Sequence, residues 1–417
     1  MDNPGRAVIL RGMKDMTDII VVGGGLNGAA LALGLAKAGL DVTVIDALPG
    51  EARADPAFDG RSYALALASQ RMLARLGLWP RLEAAAQPML EIKVTDGRVG
   101  DGAAFLGLHF DHAEIEEGPM GFMVEDRHLR GVLLAAMAAS DRITHLAPET
   151  VVAQSVEARS ASVTLASGKV LRGRLIVGAD GRASGTRERA GIGRLHWGYD
   201  QTALVCAIAH ERPHNGTAHQ LFLPSGPLAI LPLTGNRSSI VWSERRGLAE
   251  DINALDAAAY LQVLRPRFGD FLGDIDLAGA RFSYPLGLSL ADRFVAERLA
   301  LVGDAAHGVH PIAGQGLNAG LRDVAALVHV LAHAGRRGED IASPQVLARY
   351  EVWRRFDTAT LALATDVFNR IFSNDRALLR GLRDLGMRAV QSAPALRRAF
   401  IREAAGLTGD VPDLMRV

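Results

Sequence analysis

Ile19-Ile20-Val21-Val22-Gly23-Gly24-Gly25-Leu26-Asn27-Gly28 is the stretch that decides the fold. The β-branched run is a buried strand. A glycine turn follows, then a helical pattern to Lys37, with Gly39 where a helix C-terminal glycine belongs. Val42–Ile45 is a second strand and ends at Asp46. Strand, helix and strand in this order predict a parallel sheet. Gly23 permits the tight turn, Gly25 lets the backbone approach a pyrophosphate, and Gly28 lets helix and strand pack closely. The helix start at Leu26 and Asn27 offers free N–H groups and a positive partial charge to phosphate. Asp46, eighteen positions after Gly28 and followed by Ala47, suits the hydroxyls of an adenosine ribose. A dinucleotide follows from this context, with FAD and NAD both open.

A second segment chooses between them. Arg298-Leu-Ala-Leu-Val-Gly303-Asp304-Ala305-Ala306-His307 is a strand entering a loop. His310-Pro311-Ile-Ala-Gly314-Gln315-Gly316-Leu317-Asn318 then leads into a helix. An NAD dehydrogenase has no use for such a loop, whereas FAD carries a ribityl chain and a flavin ring that need contacts of their own. Asp304 can accept from a ribityl hydroxyl. A helix beginning near Gly316 would aim its N-terminus at the flavin pyrimidine edge and stabilise negative charge on reduced flavin. A third segment, Val177-Gly178-Ala179-Asp180-Gly181-Arg182, reads by itself as a turn with a capping aspartate.

The bulk numbers bound the alternatives. The 417 residues suit two or three domains, at about 150 residues each. Zero formal net charge gives no electrostatic footprint for nucleic acid. A single cysteine, Cys206, excludes an internal disulfide, a cysteine-built zinc site and a paired-thiol relay to the flavin. No metal cluster or nucleophile triad is visible in the sequence. Residues 1–16 lack a signal-peptide core and read as a disordered leader, with Met13 or Met16 as alternative starts.

Further along, Arg71–Leu78 and Leu129–Ala139 read as amphipathic helices. Residues 150–178 read as an antiparallel meander. Thr202–His210, His219–Leu223, Leu228–Leu233 and Ser238–Trp242 read as strands, Asp256–Leu264 as a helix, and everything from about 321 onward as helical. This order implies an α/β chain with a Rossmann-type FAD-binding domain in three separated stretches, residues 17–91, 119–192 and 296–350. An antiparallel β-sheet domain of residues 92–118 and 193–295 is inserted between them, and residues 351–417 form a C-terminal helical region.

The three loop segments together resemble the aromatic-hydroxylase group of single-component flavoprotein monooxygenases, whose fold is that of p-hydroxybenzoate hydroxylase. Asp59-Gly-Arg61-Ser-Tyr-Ala64-Leu65 matches that group's arginine segment. His310-Pro-Ile-Ala-Gly-Gln-Gly-Leu-Asn318-Ala-Gly-Leu-Arg-Asp323 and Gly226-Pro-Leu-Ala-Ile-Leu-Pro-Leu233 resemble the ubiquinone-biosynthesis FAD-dependent hydroxylases. The resemblance runs from about residue 17 to the C-terminus. It implies that Arg61 and Asp180 serve FAD and the incoming nicotinamide, that Pro311 lies close to the flavin ring, and that Gly303–Ala305 and Gly314–Asn318 hold the cofactor. The bland reading of Arg61 is a surface salt bridge. Related chains place Arg, Gln or Asn at the helix start occupied here by Asp126, so Asp126 and its neighbour Arg127 both stand as flavin-facing candidates, Asp126 also as a helix cap. His307 and His310 are tempting as acid or base, but loop shaping is the stronger reading.

The implied reaction uses NAD(P)H as transient reductant and O2 as co-substrate, through a flavin C4a-hydroperoxide, to hydroxylate the ring of a polyprenylated phenol in ubiquinone biosynthesis. Other flavin oxidations on the same scaffold, such as epoxidation or prenyl reduction, compete with it. So does a non-catalytic FAD-binding scaffold of a quinone-synthesis complex. The expected location is cytoplasmic. Residues 376–402 carry Arg376, Arg380, Arg383, Arg388, Arg397, Arg398 and Arg402 against Asp384 alone. Such a basic amphipathic region suits peripheral contact with the inner face of the membrane, or a surface helix packed on the domain.

Overall fold

The computed structural model describes residues 16–53, 55–98, 102–267, 269–308, 315–372 and 392–417. The leader expected at residues 1–16 therefore lies almost wholly outside the described residues, as do His310, Pro311, Gly314 and most of the basic stretch 376–402.

Strand β1 (Thr17–Val22), helix α1 (Leu26–Lys37) and strand β2 (Val42–Ile45) form the opening unit. Ile19, Ile20 and Val21 are fully buried, because a central parallel strand is covered on both faces. Helix α1 is alanine-rich and buries Ala29 to Ala32 and Leu35. It ends at Gly39, whose φ of 91° is the left-handed conformation a helix stop favours.

The first sheet runs Val295–Ala296, Leu299–Leu301, Val170–Gly178, β1, β2, Ile143–Leu146. All its pairings from Leu299–Leu301 to Ile143–Leu146 are parallel. Val151–Val156 and Ala161–Leu165 extend it as the antiparallel meander. Ligands of such sheets sit beyond the carboxyl ends of the strands. Here those ends are Val22, Ile45, Gly178 and Leu301, so the glycine turn, Asp46, Asp180 and Asp304 all lie at one edge.

A nine-stranded sheet carries Glu91–Arg98 and Gly102–Asp111, the six strands between Arg194 and Ala291, and the short strand His307–Gly308 from the second loop. A three-stranded sheet of Ser62–Ala66, Gly121–Glu125 and Ala86–Met89 lies between the two. Its strands Ser62–Ala66 and Ala86–Met89 and the helix Arg246–Ala254 do not stand out in the sequence, since these pieces are short.

The C-terminus departs from the all-helical expectation. Helices Gln315–Arg336, Pro344–Phe372 and Pro394–Ala404 are present, but residues 405–417 form an extended tail with one short 3-10 turn. Gly406 and Gly409, at φ 74° and 70°, and Pro412 break the helix there. The tail folds back on the first domain: Met415 is buried, and the carbonyl of Val417 accepts from Arg75.

Candidate functional site: a cofactor cradle between two sheets

The glycine turn meets its neighbours closely. A Cβ at Gly23 would stand 2.4 Å from the Ala179 carbonyl oxygen, and one at Gly28 would stand 1.9 Å from that of Gly23. Gly25 differs: nothing lies within 4 Å of a Cβ placed there. Gly25 caps α1 with no side-chain hydrogen bond, and the first turn contains no acidic residue. The N–H groups of that turn therefore face open space with their positive partial charge unanswered by any side chain. This is the arrangement a pyrophosphate fits.

Asn27 joins the two nucleotide segments. A Cβ at Gly303 would stand 2.3 Å from its Nδ2, and a Cβ at Gly320 would stand 2.4 Å from it. Gly303 also holds φ 59°. The Oδ1 of Asn27 is shut from solvent and has no hydrogen-bond partner. A buried acceptor without a donor is costly, and a ligand hydroxyl entering between the loops would satisfy it. Gly316 resembles Gly25, in that a Cβ added to it would meet nothing within 4 Å. The residues present thus fit FAD.

Asp46 is 2% exposed. Arg53 reaches both of its oxygens, at 2.5 and 2.8 Å, and the Leu48 N–H reaches one at 3.1 Å. Oδ1 accepts two of these bonds and Oδ2 only one, so Oδ2 keeps a further lone pair for a ribose hydroxyl. Ala47 beside it is exposed. Leu26 and Leu317 pack at the margin of the main core, and Ala305 is buried.

Several predicted contacts are committed inside the protein. Asp180 accepts from Ser184, and from both the N–H (3.0 Å) and hydroxyl (2.8 Å) of Thr186, so its side chain ties together the turn that opens helix Gly185–Arg189. The Asn318 amide oxygen accepts from Ala66 N–H and the Ser69 hydroxyl, and its nitrogen donates to the Ala64 carbonyl. Asn318 therefore clamps the long helix to the arginine segment. Asp126 is not a helix cap: it is the first helical residue, and Glu125 holds the cap position without a side-chain bond. Its awkward charge is resolved by Arg130 and by Arg61, whose guanidinium lies 3.5 Å away. Arg127 bonds Glu125 at 2.7 Å and the Pro56 carbonyl at 2.9 Å. Arg61 also pairs with Asp59 and lies over the Phe282 ring.

Asp304, at the second loop, faces Arg182 at 3.3 Å. Tyr63, inside the arginine segment, and Tyr284, which no motif indicated, lie within the fields of Arg61, Arg182 and Asp304. Burial pushes both phenols up from their ordinary range, so both remain hydroxyl donors. His307 is 2% exposed and bonds Asp323. Gln315 begins the helix behind the loop.

Beside this edge lies an apolar junction. Met89, Met123 and Ala64 of the small sheet pack against Ala207, Ala218 and Leu233 of the nine-stranded sheet. The strand Gly226–Leu233 serves both sides: Leu228 and Ile230 enter the core backed by helices, while Leu231 and Leu233 face this junction.

Residues 16–362 match the family described as FAD binding domain. The chain is 47% identical, over its full length and 96% of the relative's, to ubiquinone hydroxylase UbiL of Rhodospirillum rubrum. It is 36% identical to the 3-demethoxyubiquinol 3-hydroxylase of Escherichia coli, covering 94% of this chain and 99% of that one. The crystal structure of p-nitrophenol 4-monooxygenase PnpA from Pseudomonas putida superposes with a TM-score of 0.79 at 19% identity, covering 97% of this chain and all of that one. That likeness fixes the fold as the p-hydroxybenzoate-hydroxylase type. With a glycine cradle open at Gly25, a second loop locked to it through Asn27, and this kinship, the chain belongs to the ubiquinone-biosynthesis hydroxylases of the FAD-binding monooxygenase family.

Proposed function

We propose that the chain hydroxylates the aromatic ring of a polyprenylated phenol intermediate in ubiquinone biosynthesis. NAD(P)H supplies two electrons. One atom of O2 enters the ring, and the other leaves as water. Bound FAD supplies the chemistry that accepts hydride and activates oxygen. The observation that supports the substrate class is the likeness along the whole chain to ubiquinone hydroxylase UbiL and to the 3-demethoxyubiquinol 3-hydroxylase. The packed junction of aliphatic, alanine and methionine side chains between the small and the nine-stranded sheet is apolar, as a neighbour of a prenylated phenol should be. The strands of the nine-stranded sheet form the substrate side, and the parallel sheet forms the FAD side.

The chain's own residues bind, orient and exclude water. The N-terminus of α1 holds the pyrophosphate, Asp46 the adenosine ribose, and Asp304 with the Asn27 carbonyl the ribityl hydroxyls. Arg61, held in place by Asp59 and Asp126, offers its guanidinium to the nicotinamide approach. Tyr63 and Tyr284 donate hydrogen bonds near the ring, and the junction keeps the reacting carbon dry. The test is phenol-dependent NAD(P)H oxidation by the yellow protein, with the product weighed by mass spectrometry. A product one oxygen heavier on the ring supports the proposal. An unchanged ring with an altered chain favours an epoxidase or prenyl reductase, and no NAD(P)H oxidation with any phenol favours a scaffold role.

We further propose that the lipid substrate is met at a membrane surface or within a biosynthetic complex, by way of helix Pro394–Ala404. No helix among the described residues is long and apolar enough to cross a membrane. Leu396 and Phe400, one turn apart on that helix, are 43% and 42% exposed. Arg397 and Arg402 pair with Glu114 and Glu117, so the apolar pair rather than these arginines supports the contact. Replacing Leu396 and Phe400 by serine should reduce flotation with anionic vesicles; unchanged flotation would remove this part of the proposal.

A further inference from the structure

The helix Gln315–Arg336 starts at the cofactor edge, and roughly 20 Å along it a second cluster of side chains assembles. His329 and His333 are one turn apart, and their rings stack with centroids 4.2 Å apart. Asp413 arrives from the C-terminal tail. Its Oδ2 lies 3.0 Å from His329 Nδ1 and 3.1 Å from His333 Nε2. The three atoms all fall within 4.8 Å of one another. Ligands on a tetrahedral ion with bonds of about 2.0–2.1 Å stand a little over ~3 Å apart, so the cluster is already close to ligand spacing.

Hydrogen bonding alone leaves this cluster incomplete. His333 bonds the Asp413 carboxylate. His329 Nδ1 is shut from solvent and makes no hydrogen bond, although the carboxylate oxygen is 3.0 Å away. That nitrogen approaches Oδ2 off the donor line, as one ligand approaches another. The other carboxylate oxygen is turned to Arg416 at 3.5 Å, which leaves Oδ2 for the imidazoles. Trp353 packs edge-on against His329 at 5.2 Å and fixes its ring.

We propose that His329, His333 and Asp413 bind one divalent transition ion of the zinc or nickel type. Two imidazoles and a carboxylate suit those ions, whereas Mg2+ and Ca2+ ask for oxygen ligands throughout. Water fills the remaining positions at this half-exposed place. The ion clasps the tail to the long helix. The tail is otherwise held by Arg322, which donates to the carbonyls of Gly406 and Thr408, and by the Trp353 N–H on the Asp410 carbonyl. The sequence concealed the site because Asp413 lies 80 positions beyond His333.

The experiment uses tag-free holoenzyme stripped with a chelator and titrated with Co2+, read by ligand-field absorption, and with Zn2+, read by calorimetry. Flavin content reports that each variant is folded. Wild type should take up one ion per chain. His329→Gln/His333→Gln should lose affinity by more than the roughly 10–100-fold typical of losing an outer-shell partner, and Asp413→Asn, which keeps the shape of the side chain, should also weaken binding. Zn2+ should slow amide exchange across residues 405–417 in wild type and not in the double variant. No stoichiometric uptake by wild type, equal affinity in the double variant, or a tail whose exchange ignores the ion would each overturn the proposal.

Discussion

The Nε2 of His307 lies 2.6 Å from Oδ2 of Asp323, and neither residue reaches solvent. The same oxygen accepts the Gly303 N–H at 2.9 Å, and the other accepts Arg354 Nε at 2.8 Å. Asp323 therefore holds the loop that carries Asp304 from behind. Burial pushes its carboxyl up, but His307 and Arg354 outweigh this and hold it below the ordinary 3.8. Asp323→Asn would leave the Arg354 charge buried with only Asp357, at a cost of about 3–5 kcal/mol. The expected result is a lower denaturation midpoint and weaker FAD retention. A carboxyl with a depressed folded pKa contributes stability above its unfolded value and loses it as pH falls through the folded one. The wild type should thus lose stability below about pH 3.8 more steeply than the Asn variant.

Gly25 and Asn318 separate two kinds of failure. A side chain at Gly25 meets nothing within 4 Å, and its φ of −67° and ψ of −173° suit any residue. Gly25→Val should leave the apoprotein as stable as wild type while FAD affinity falls steeply, because the added methyls fill the pyrophosphate's place. Asn318→Ala should do the reverse. It strands the Ala66 N–H and the Ala64 carbonyl, costing about 1–3 kcal/mol, and destabilises apoprotein and holoprotein alike. Thermal unfolding with and without FAD distinguishes them.

The opening unit was legible because strand, glycine turn, helix and acidic strand end are all local. The Asp304 loop was legible for the same reason. Tyr63, Tyr284 and the Asn27 contacts were not, since each depends on which distant backbone comes to meet it. The partners of Asp126 and Asn318 were not legible either: Arg130 and Arg61 pair with the first, and Ala64, Ala66 and Ser69 hold the second. Sequence places a residue beside a ligand more readily than it says where its side chain turns.

Gly320 and Asn27 form a testable pair. A methyl at Gly320 would fall 2.4 Å from the Asn27 Nδ2, so Gly320→Ala should cost about 1–3 kcal/mol as overpacking does, despite alanine's better helix propensity. Asn27→Ala in the same chain should recover most of that loss, giving a coupling energy of about 1 kcal/mol or more. FAD affinity should stay low in the double variant, because the Asn27 carbonyl is gone. Recovery of both stability and affinity would mean that Asn27 only spaces the loops.

An ion pair spans the joint between the small and the nine-stranded sheet. Glu125 is 1% exposed; Arg237 reaches it across the joint at 2.6 Å, and Arg127 at 2.7 Å. Phe58 lies under both guanidinium groups, 4.9 Å from Arg237 and 5.5 Å from Arg127. Arg237→Ala leaves Glu125 with Arg127, so the loss should sit near the low end of the range for a buried interfacial pair, about 2 kcal/mol. Arg237 itself is not among the residues of the FAD cradle, so flavin content should hold. The apolar junction does depend on the joint, through Phe58 and Leu233. A loosened joint should admit water, raise the KM for the phenol and increase NAD(P)H oxidation that yields no hydroxylated product. Measuring that ratio of reductant consumed to product formed checks the prediction, and an unchanged ratio would place Arg237 outside the control of the substrate side.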